Sequence, residues 1–418
     1  MTVGKGMMHG LVPYRDLLEQ KGPVLYFAYG LAALVSPHRF FSVYLLELIA
    51  DTIALYVMSM CADIHRKNTA LLSVPLFSLI LFPVQAFAWG GKAEELFLPF
   101  LAYALYLGFK VLNEQSLSPR QMLLIGLSVG IAFWSKFTFV GFYLGWLICV
   151  LGFSLKHGER QNLPKLLGAL VLGFSLVTVP VLIYFGYHHA IRDLMKVYIY
   201  DNIFVYTDYE RSGFSELLTN YLYGLWMFLY GNAWLLPLVT IGFLSDRTHM
   251  LLVTFALLFC SSFIGSRSFL YYALIFVPFS CIGIASVTKV LHTGVPLKRL
   301  LVLEIVCLMV AVLPWLKDAN KPKEAYPQVQ FAEIIRQSED PTLLNYGFLD
   351  GGFYMAADIL PSCKAFCKLN APIPEMLQLQ EDALQNGTCE FVVTIVTRGR
   401  FSCHILCDRG TVLLSHCP

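Results

Sequence analysis

Between Phe40 and Leu316 the chain is a succession of long apolar runs separated by short polar connections. No other feature restricts its fold so strongly. Every backbone polar group within a hydrocarbon layer must find its partner inside the protein, which leaves helices as the form such runs take. Ten stretches qualify as candidate spans: 42–60, 69–87, 96–112, 121–134, 138–153, 165–184, 221–243, 250–265, 270–291 and 299–315. Several fall short of the ~20 residues a full crossing needs, and the pair flanking Ser135-Lys136 reads as one hairpin. Composition agrees. Hydrophobic residues make up 57% and charged residues 14% of the 418 positions, against about 25% charged in soluble domains. The solvent for this surface is lipid. A net charge of +2 gives no electrostatic case for a nucleic-acid partner.

Basic residues mark alternate connections: Arg66 and Lys67, Lys110 and Arg120, Lys156 with Arg160 and Lys165, Arg247, then Lys289, Lys298 and Arg299. By the positive-inside rule these face the cytoplasm. The amino-terminal segment, "WGGKAEE", the Ser135-Lys136 turn, the loop 185–220, "GSRS" and the tail then face outward. The expected class is mainly α: a polytopic transmembrane helical bundle with a small C-terminal extracytoplasmic α/β domain. Its expected parts are residues 1–41 as a partial outer loop with an interfacial helix, 42–316 as the bundle, and 317–418 as the tail domain. In the tail a helix is expected at Val329–Arg336, and strands at Thr342–Tyr346 and in "EFVVTIV". The final stretch, "RGRFSCHILCDRGTVLLSHCP", shows no clear pattern. Of the 11 cysteines, six crowd this tail at spacings that match no zinc motif. Outside the cytoplasm some of them can pair, with a connectivity the sequence does not give.

Charges gather at the outward boundary. Gly90-Gly91 suits a tight turn, and Glu94 and Glu95 then open a helix whose dipole favours negative charge. They read either as a capped helix start or as a general base or metal ligand. Lys136 interrupts an apolar hairpin at its outer tip. It snorkels to the interface or holds a lipid phosphate. Lys21 precedes Gly22-Pro23, and Pro23 suits the first turn of an interfacial helix, with Tyr26 and Tyr29 at headgroup depth. Arg267 sits at an outer helix end before Tyr271 and Tyr272. Arg267 suits phosphate, and Tyr272 reads as part of an aromatic belt. The aromatic loop 185–220 reads as a flap on the lipid surface. Glu47 and Asp51, four apart on one helix face, read as a bundle-facing pair or a proton path.

"VGKGMMHGLVPYRDLLEQKGPVLYF", "GGKAEELFLPF", "GLSVGIAFWSKFT", "SRSFLYYALIFVP" and "LLNYGFLDGGFY" together resemble the C-type glycosyltransferase superfamily. The closest branch in pattern is the bacterial proteins related to protein O-mannosyltransferases and the lipid A aminoarabinose transferase. The resemblance implies a cell-membrane enzyme that transfers a sugar from a polyprenyl-phosphate carrier to an envelope acceptor on the extracytoplasmic face, with inversion. It implies that Lys21, Lys136 and Arg267, with Tyr271, Arg15 and Asp16, bind the substrate and its lipid phosphate. It implies that Glu94 and Glu95 match an outer loop supplying acidic residues. The family's histidine is replaced here by Tyr271. The cofactor is unknown, a divalent cation being one candidate. The family's first helix and its acidic base lie upstream of the position matching Met1, so the expectation is a chain with impaired activity. Two other classes remain on the sequence: a polyprenyl-lipid flippase or transporter, favoured only by Glu47 and Asp51, and a non-catalytic envelope assembly protein.

Overall fold

The computed structural model describes residues 1–63, 74, 81, 85–87, 90–157, 161–205, 214–233, 235–244, 248–264, 268–290, 297–313, 321–369, 373–397, 400–407 and 410–416. Its elements run α1 (Thr2–Met8), α2 (Pro23–Val35), α3 (Phe41–Asp63), α4 (Ala93–Leu112), α5 (Pro119–Phe133), α6 (Val140–Lys156) and α7 (Leu163–Tyr187). A π-helical stretch, Leu194–Val205, follows. Next are α8 (Phe214–Gly231), α9 (Leu236–Leu244), α10 (Leu252–Ser262), the 3₁₀ helix Leu270–Phe279, α11 (Ser280–Val290) and α12 (Leu297–Val312). The tail holds α13 (Pro327–Ile335), β1 (Leu343–Asn345), α14 (Phe353–Ala357), α15 (Pro374–Gln385), β2 (Phe391–Thr397), β3 (Arg400–Cys407) and β4 (Gly410–His416). Four described helices are long and apolar enough to cross a membrane: Phe41–Cys61, Ala93–Leu112, Phe137–Lys156 and Leu163–Tyr187. The pair Ser215–Gly231 and Leu236–Leu244 passes the same test together but bends by 104°. The candidate span 69–87 falls mostly outside the described residues.

The chain divides into two compact units, Met1–Val43 with Val181–Glu210 and Asn320–Pro418, and Tyr44–Pro180 with Arg211–Ala319. In the first, three distant segments share one core. Gly4 of α1 lies so close to α2 that a Cβ on it would meet the Tyr26 carbonyl oxygen at 2.4 Å. Lys5, 4% exposed, pairs with Asp358 of the tail, and the Thr2 hydroxyl donates to Asp350 at 2.5 Å. The Leu18 amide donates to the Lys364 carbonyl at 2.8 Å. The amino-terminal segment is therefore an internal part of this unit. Tyr26 and Tyr29 are buried against protein, while Phe27, Leu31, Leu34 and Val35 form the exposed face of α2. The tyrosines expected at headgroup depth turn into the protein, and the aliphatic and Phe positions one helical face over are left exposed.

The tail sheet has the order β1-β2-β3-β4. β1 and β2 pair in parallel, Leu343 opposite Phe391, and the stretch carrying α14 and α15 supplies the crossover a parallel pair needs. Tyr354 is buried, and its hydroxyl donates to the carbonyls of Leu343, at 2.6 Å, and Phe366, at 3.0 Å. The stretch that showed no pattern forms the antiparallel hairpin of β3 and β4. The loop 185–220 is largely helical as far as it is described, with Tyr198 buried and Tyr200, Ile203 and Phe204 exposed.

In the second unit α4 is central. Its apolar window is 72% buried, against 11% for α7, so α7 is the more open helix, with Val171, Leu172 and Val179 exposed. Without a hydrophobic drive between helices in lipid, close backbone approach by small residues takes over. Gly126 of α5 and Gly173 of α7 make such a crossing: a Cβ on Gly126 would lie 2.1 Å from the Leu170 carbonyl oxygen. Within the core the Trp146 indole donates to the Ala104 carbonyl at 2.5 Å.

Candidate functional site

The second unit builds a charged site from three turns. Gly91 turns with φ 75° and starts α4, which carries Glu94 and Glu95 in its first turn. Lys136 occupies the N-cap position of the short 3₁₀ turn Phe137–Phe139 between α5 and α6. The 3₁₀ helix Leu270–Phe279 brings in Tyr271 and Tyr272. These elements meet at one ion pair. The Lys136 ammonium donates to Glu94 Oε1, with the lysine side chain 10% and the glutamate side chain 2% exposed. The same ammonium lies 3.7 Å from the Tyr272 ring centroid and 5.8 Å from that of Tyr271. The Lys92 ammonium sits 4.2 Å over Tyr271. Cation, carboxylate and two aromatic faces thus share one buried neighbourhood, where water no longer screens their fields.

Glu95 points elsewhere. It is fully buried, with its carboxyl set against that of Glu47. Glu47, Asp51 and Lys92 supply the charges around it. Glu47 accepts from the Gly91 amide, and Asp51 is 6% exposed. The pair predicted on α3 therefore faces the bundle, and it meets the carboxylate next to the Lys136 partner. Tyr272 is 8% exposed and lies against Lys136, which corrects its reading as a belt residue. The hairpin tip at Lys136 and the helix start at Glu94 were visible in the sequence. Tyr272 and Lys92 as their company were not.

The remaining candidates are distributed differently. Arg267 lies outside the described residues. Arg15, Asp16 and Lys21 belong to the first unit. Tyr14, at φ 69°, is fully buried, stacked on Phe185 at 5.6 Å and Tyr198 at 6.2 Å between ring centroids. Its hydroxyl donates to the Lys21 carbonyl at 2.6 Å, fixing the backbone just ahead of Pro23. Arg15 donates from Nε and Nη2 to the two oxygens of Asp16, each at 2.8 Å, and from Nη1 to the His188 carbonyl at 2.9 Å. The Val12 amide adds a bond to Asp16 at 2.7 Å. The hydrogen bonds from Arg15 hold the Asp16 carboxyl below its usual range, outweighing partial burial. Arg15 and Asp16 thus spend much of their bonding capacity on each other. Among the described residues no group of three or more His, Cys, Asp or Glu side chains is placed to hold a metal ion.

A helical bundle with several helices long and apolar enough to cross a membrane, joined to a small α/β tail, describes a multi-pass membrane protein. Residues 20–184 match the family model described as dolichyl-phosphate-mannose-protein mannosyltransferase, and this segment includes Lys21, Glu94, Glu95 and Lys136. The fold is that of ArnT from Cupriavidus metallidurans, solved with bound undecaprenyl phosphate. The TM-score is 0.65 at 14% identity, over 99% of this chain and 91% of that one. The apo form of the same protein gives a TM-score of 0.65 at 13% identity, over 94% and 87%. A search of curated proteins by sequence finds no significant match.

Proposed function

We propose that the protein is a membrane glycosyltransferase taking its sugar from a polyprenyl-phosphate carrier and passing it, with inversion, to a hydroxyl of an envelope acceptor on the extracytoplasmic face. One observation carries this reading. In a chain of this fold, matching this family over residues 20–184, the ammonium of Lys136 is held buried between Glu94 and the ring of Tyr272. A lipid phosphate competes with Glu94 for that ammonium. As the acceptor oxygen bonds to the anomeric carbon and the carbon–oxygen bond to phosphate breaks, charge grows on the phosphate. A fixed cation in a dry site stabilises that charge more in the transition state than in the ground state. The displaced Glu94 carboxylate takes the proton of the attacking hydroxyl. Glu95, shut away beside Glu47 and Asp51, keeps the start of α4 in place. Lys21 and Arg267 are proposed as phosphate ligands from the sequence resemblance.

The test is binding of undecaprenyl phosphate to the full chain in nanodiscs, followed by tryptophan fluorescence. Lys136→Ala is expected to weaken binding at least tenfold and Lys136→Arg to retain it. Lys21→Ala is measured in the same titration. Unchanged affinity in Lys136→Ala refutes the assignment. The transport reading rests on Glu47 and Asp51. Both are drawn into the packing around Gly91 and Glu95, so it gains no support.

A further inference from the structure

We propose that Cys363 and Cys389 form a disulfide in the mature protein, closing the tail domain across its βαβ crossover. Both are thiols in this structure, and their sulfur atoms approach to 2.7 Å. That is closer than unbonded sulfurs pack, and one small adjustment from the bond length of about 2.05 Å. The two positions lie 26 residues apart. Cys363 follows α14 in the connection toward α15. Cys389 immediately precedes β2. A bond between them ties the connection before α15 to the strand after it, and fixes the helix between two anchored ends.

The surroundings suit oxidation. Cys389 is fully buried in a small cluster with Leu344, Ala383 and Val392, and Cys363 packs at its edge, half-buried. The hydroxyls of Ser362 and Thr388 lie 3.9 Å from the Cys363 sulfur. The contact with Cys389, helped by those hydroxyls, lowers the Cys363 thiol to about 6. The same contact and burial push Cys389 up. One accessible thiolate beside one buried thiol is the arrangement of an attacking and a resolving cysteine. The Cys363 thiolate attacks the disulfide of an envelope thiol–disulfide oxidant and displaces one of its sulfurs as thiolate. Cys389 then loses its proton and attacks the Cys363 sulfur, expelling the second sulfur of the oxidant. Two protein thiols give one disulfide, two protons are released, and the oxidant's disulfide takes up two electrons. A buried cluster this small gains from a covalent staple. Buried Cys367 is left as a thiol.

The inference rests on the proposed extracytoplasmic placement of the tail, because the cytoplasm keeps thiols reduced. The full chain is expressed in membranes, denatured in the presence of an alkylating agent with and without prior reduction, and mapped by mass spectrometry. Expected is a linked peptide pair containing Cys363 and Cys389, both alkylated only after reduction. Reductant should lower the melting temperature of the parent and leave that of Cys363→Ser/Cys389→Ser unchanged. Both thiols alkylated without reduction, or either one joined to another cysteine, overturns the proposal. A membrane-impermeant maleimide on the variant Glu381→Cys reports the side of the tail separately. A tail found outside with both thiols free sinks the disulfide alone. A tail found inside with both thiols free sinks the disulfide together with the orientation it rests on.

Discussion

Removing the Lys136 ammonium is the perturbation that most directly examines the site. In Lys136→Met the apolar stem survives and the charge is lost. Glu94, 2% exposed, then faces no cation at its Oε1. Breaking one side of a buried pair costs about 3–5 kcal/mol, because the remaining charge is stranded. Loss of the contact with Tyr272 at 3.7 Å adds about 1 kcal/mol. Glu94→Gln should be milder: its amide oxygen still accepts from Lys136 and the aromatic face remains, so only the countercharge is lost and the cost falls below the about 3–5 kcal/mol of a fully broken pair. The double variant strands neither charge and should recover most of the loss, giving a coupling energy of about 2 kcal/mol or more. Reversible unfolding in mixed detergent and SDS micelles measures all four proteins. If Lys136→Met lies within about 0.5 kcal/mol of the parent, or if the two losses simply add, the pair is not the buried, mutually dependent unit described here. Undecaprenyl phosphate binding by the double variant then separates structure from function. A stable double variant that still binds like the parent removes Lys136 from the phosphate site.

Three further outcomes follow from the geometry. Gly126→Ala sets a Cβ 2.1 Å from the Leu170 carbonyl oxygen and should cost about 1–3 kcal/mol by overpacking; Gly168→Ala on α7, where a Cβ meets nothing within 4 Å, should be neutral or stabilising in the same unfolding assay. Tyr272→Leu should weaken the hold on Lys136 and reduce both stability and phosphate binding, whereas Tyr272→Phe, which keeps the ring, should retain both. Asp16 has a folded-state pKa held down by Arg15, so the unfolded chain binds its proton more readily and stability rises with pH through that window. The advantage of the parent over Asp16→Asn is therefore complete above the unfolded value of about 3.9 and shrinks as pH falls below it. Thermal unfolding of the two proteins between pH 3 and 7 checks the sign.

Local rules carried far along this chain. Pro23 opens α2 at its first position, because its ring already has the helical φ and its missing amide is not needed there. Gly91 makes the turn ahead of α4, and Lys136 sits at the bend between α5 and α6, where the apolar run breaks. The candidate site was legible to the same depth. Glu94, Glu95 and Lys136 are expected at helix ends and lie there, since that position follows from chain-local hydrophobicity. The β3–β4 hairpin was not read, because its alternation is interrupted by cysteines and by a bulge at Cys403/His404. The π-helical Leu194–Val205 reads as a loop in the sequence because its apolar and aromatic residues fall on every side of a helix.

What the sequence determined alone is the solvent, the helical class and the clustering of ionic residues at helix ends. Those properties depend on a few consecutive residues meeting lipid or water. The partners were decided only by the tertiary structure. Lys136 meets Glu94 across 42 positions, Lys5 meets Asp358 across 353, and Tyr26 turns inward because Gly4 lets α1 approach α2. Such meetings depend on helix crossings and on the packing of segments far apart in the chain, and a buried charge accepts whichever counter-charge that packing delivers. The periodicity of a helix shows which residues share a face, while the neighbour that covers the face is chosen by the rest of the molecule.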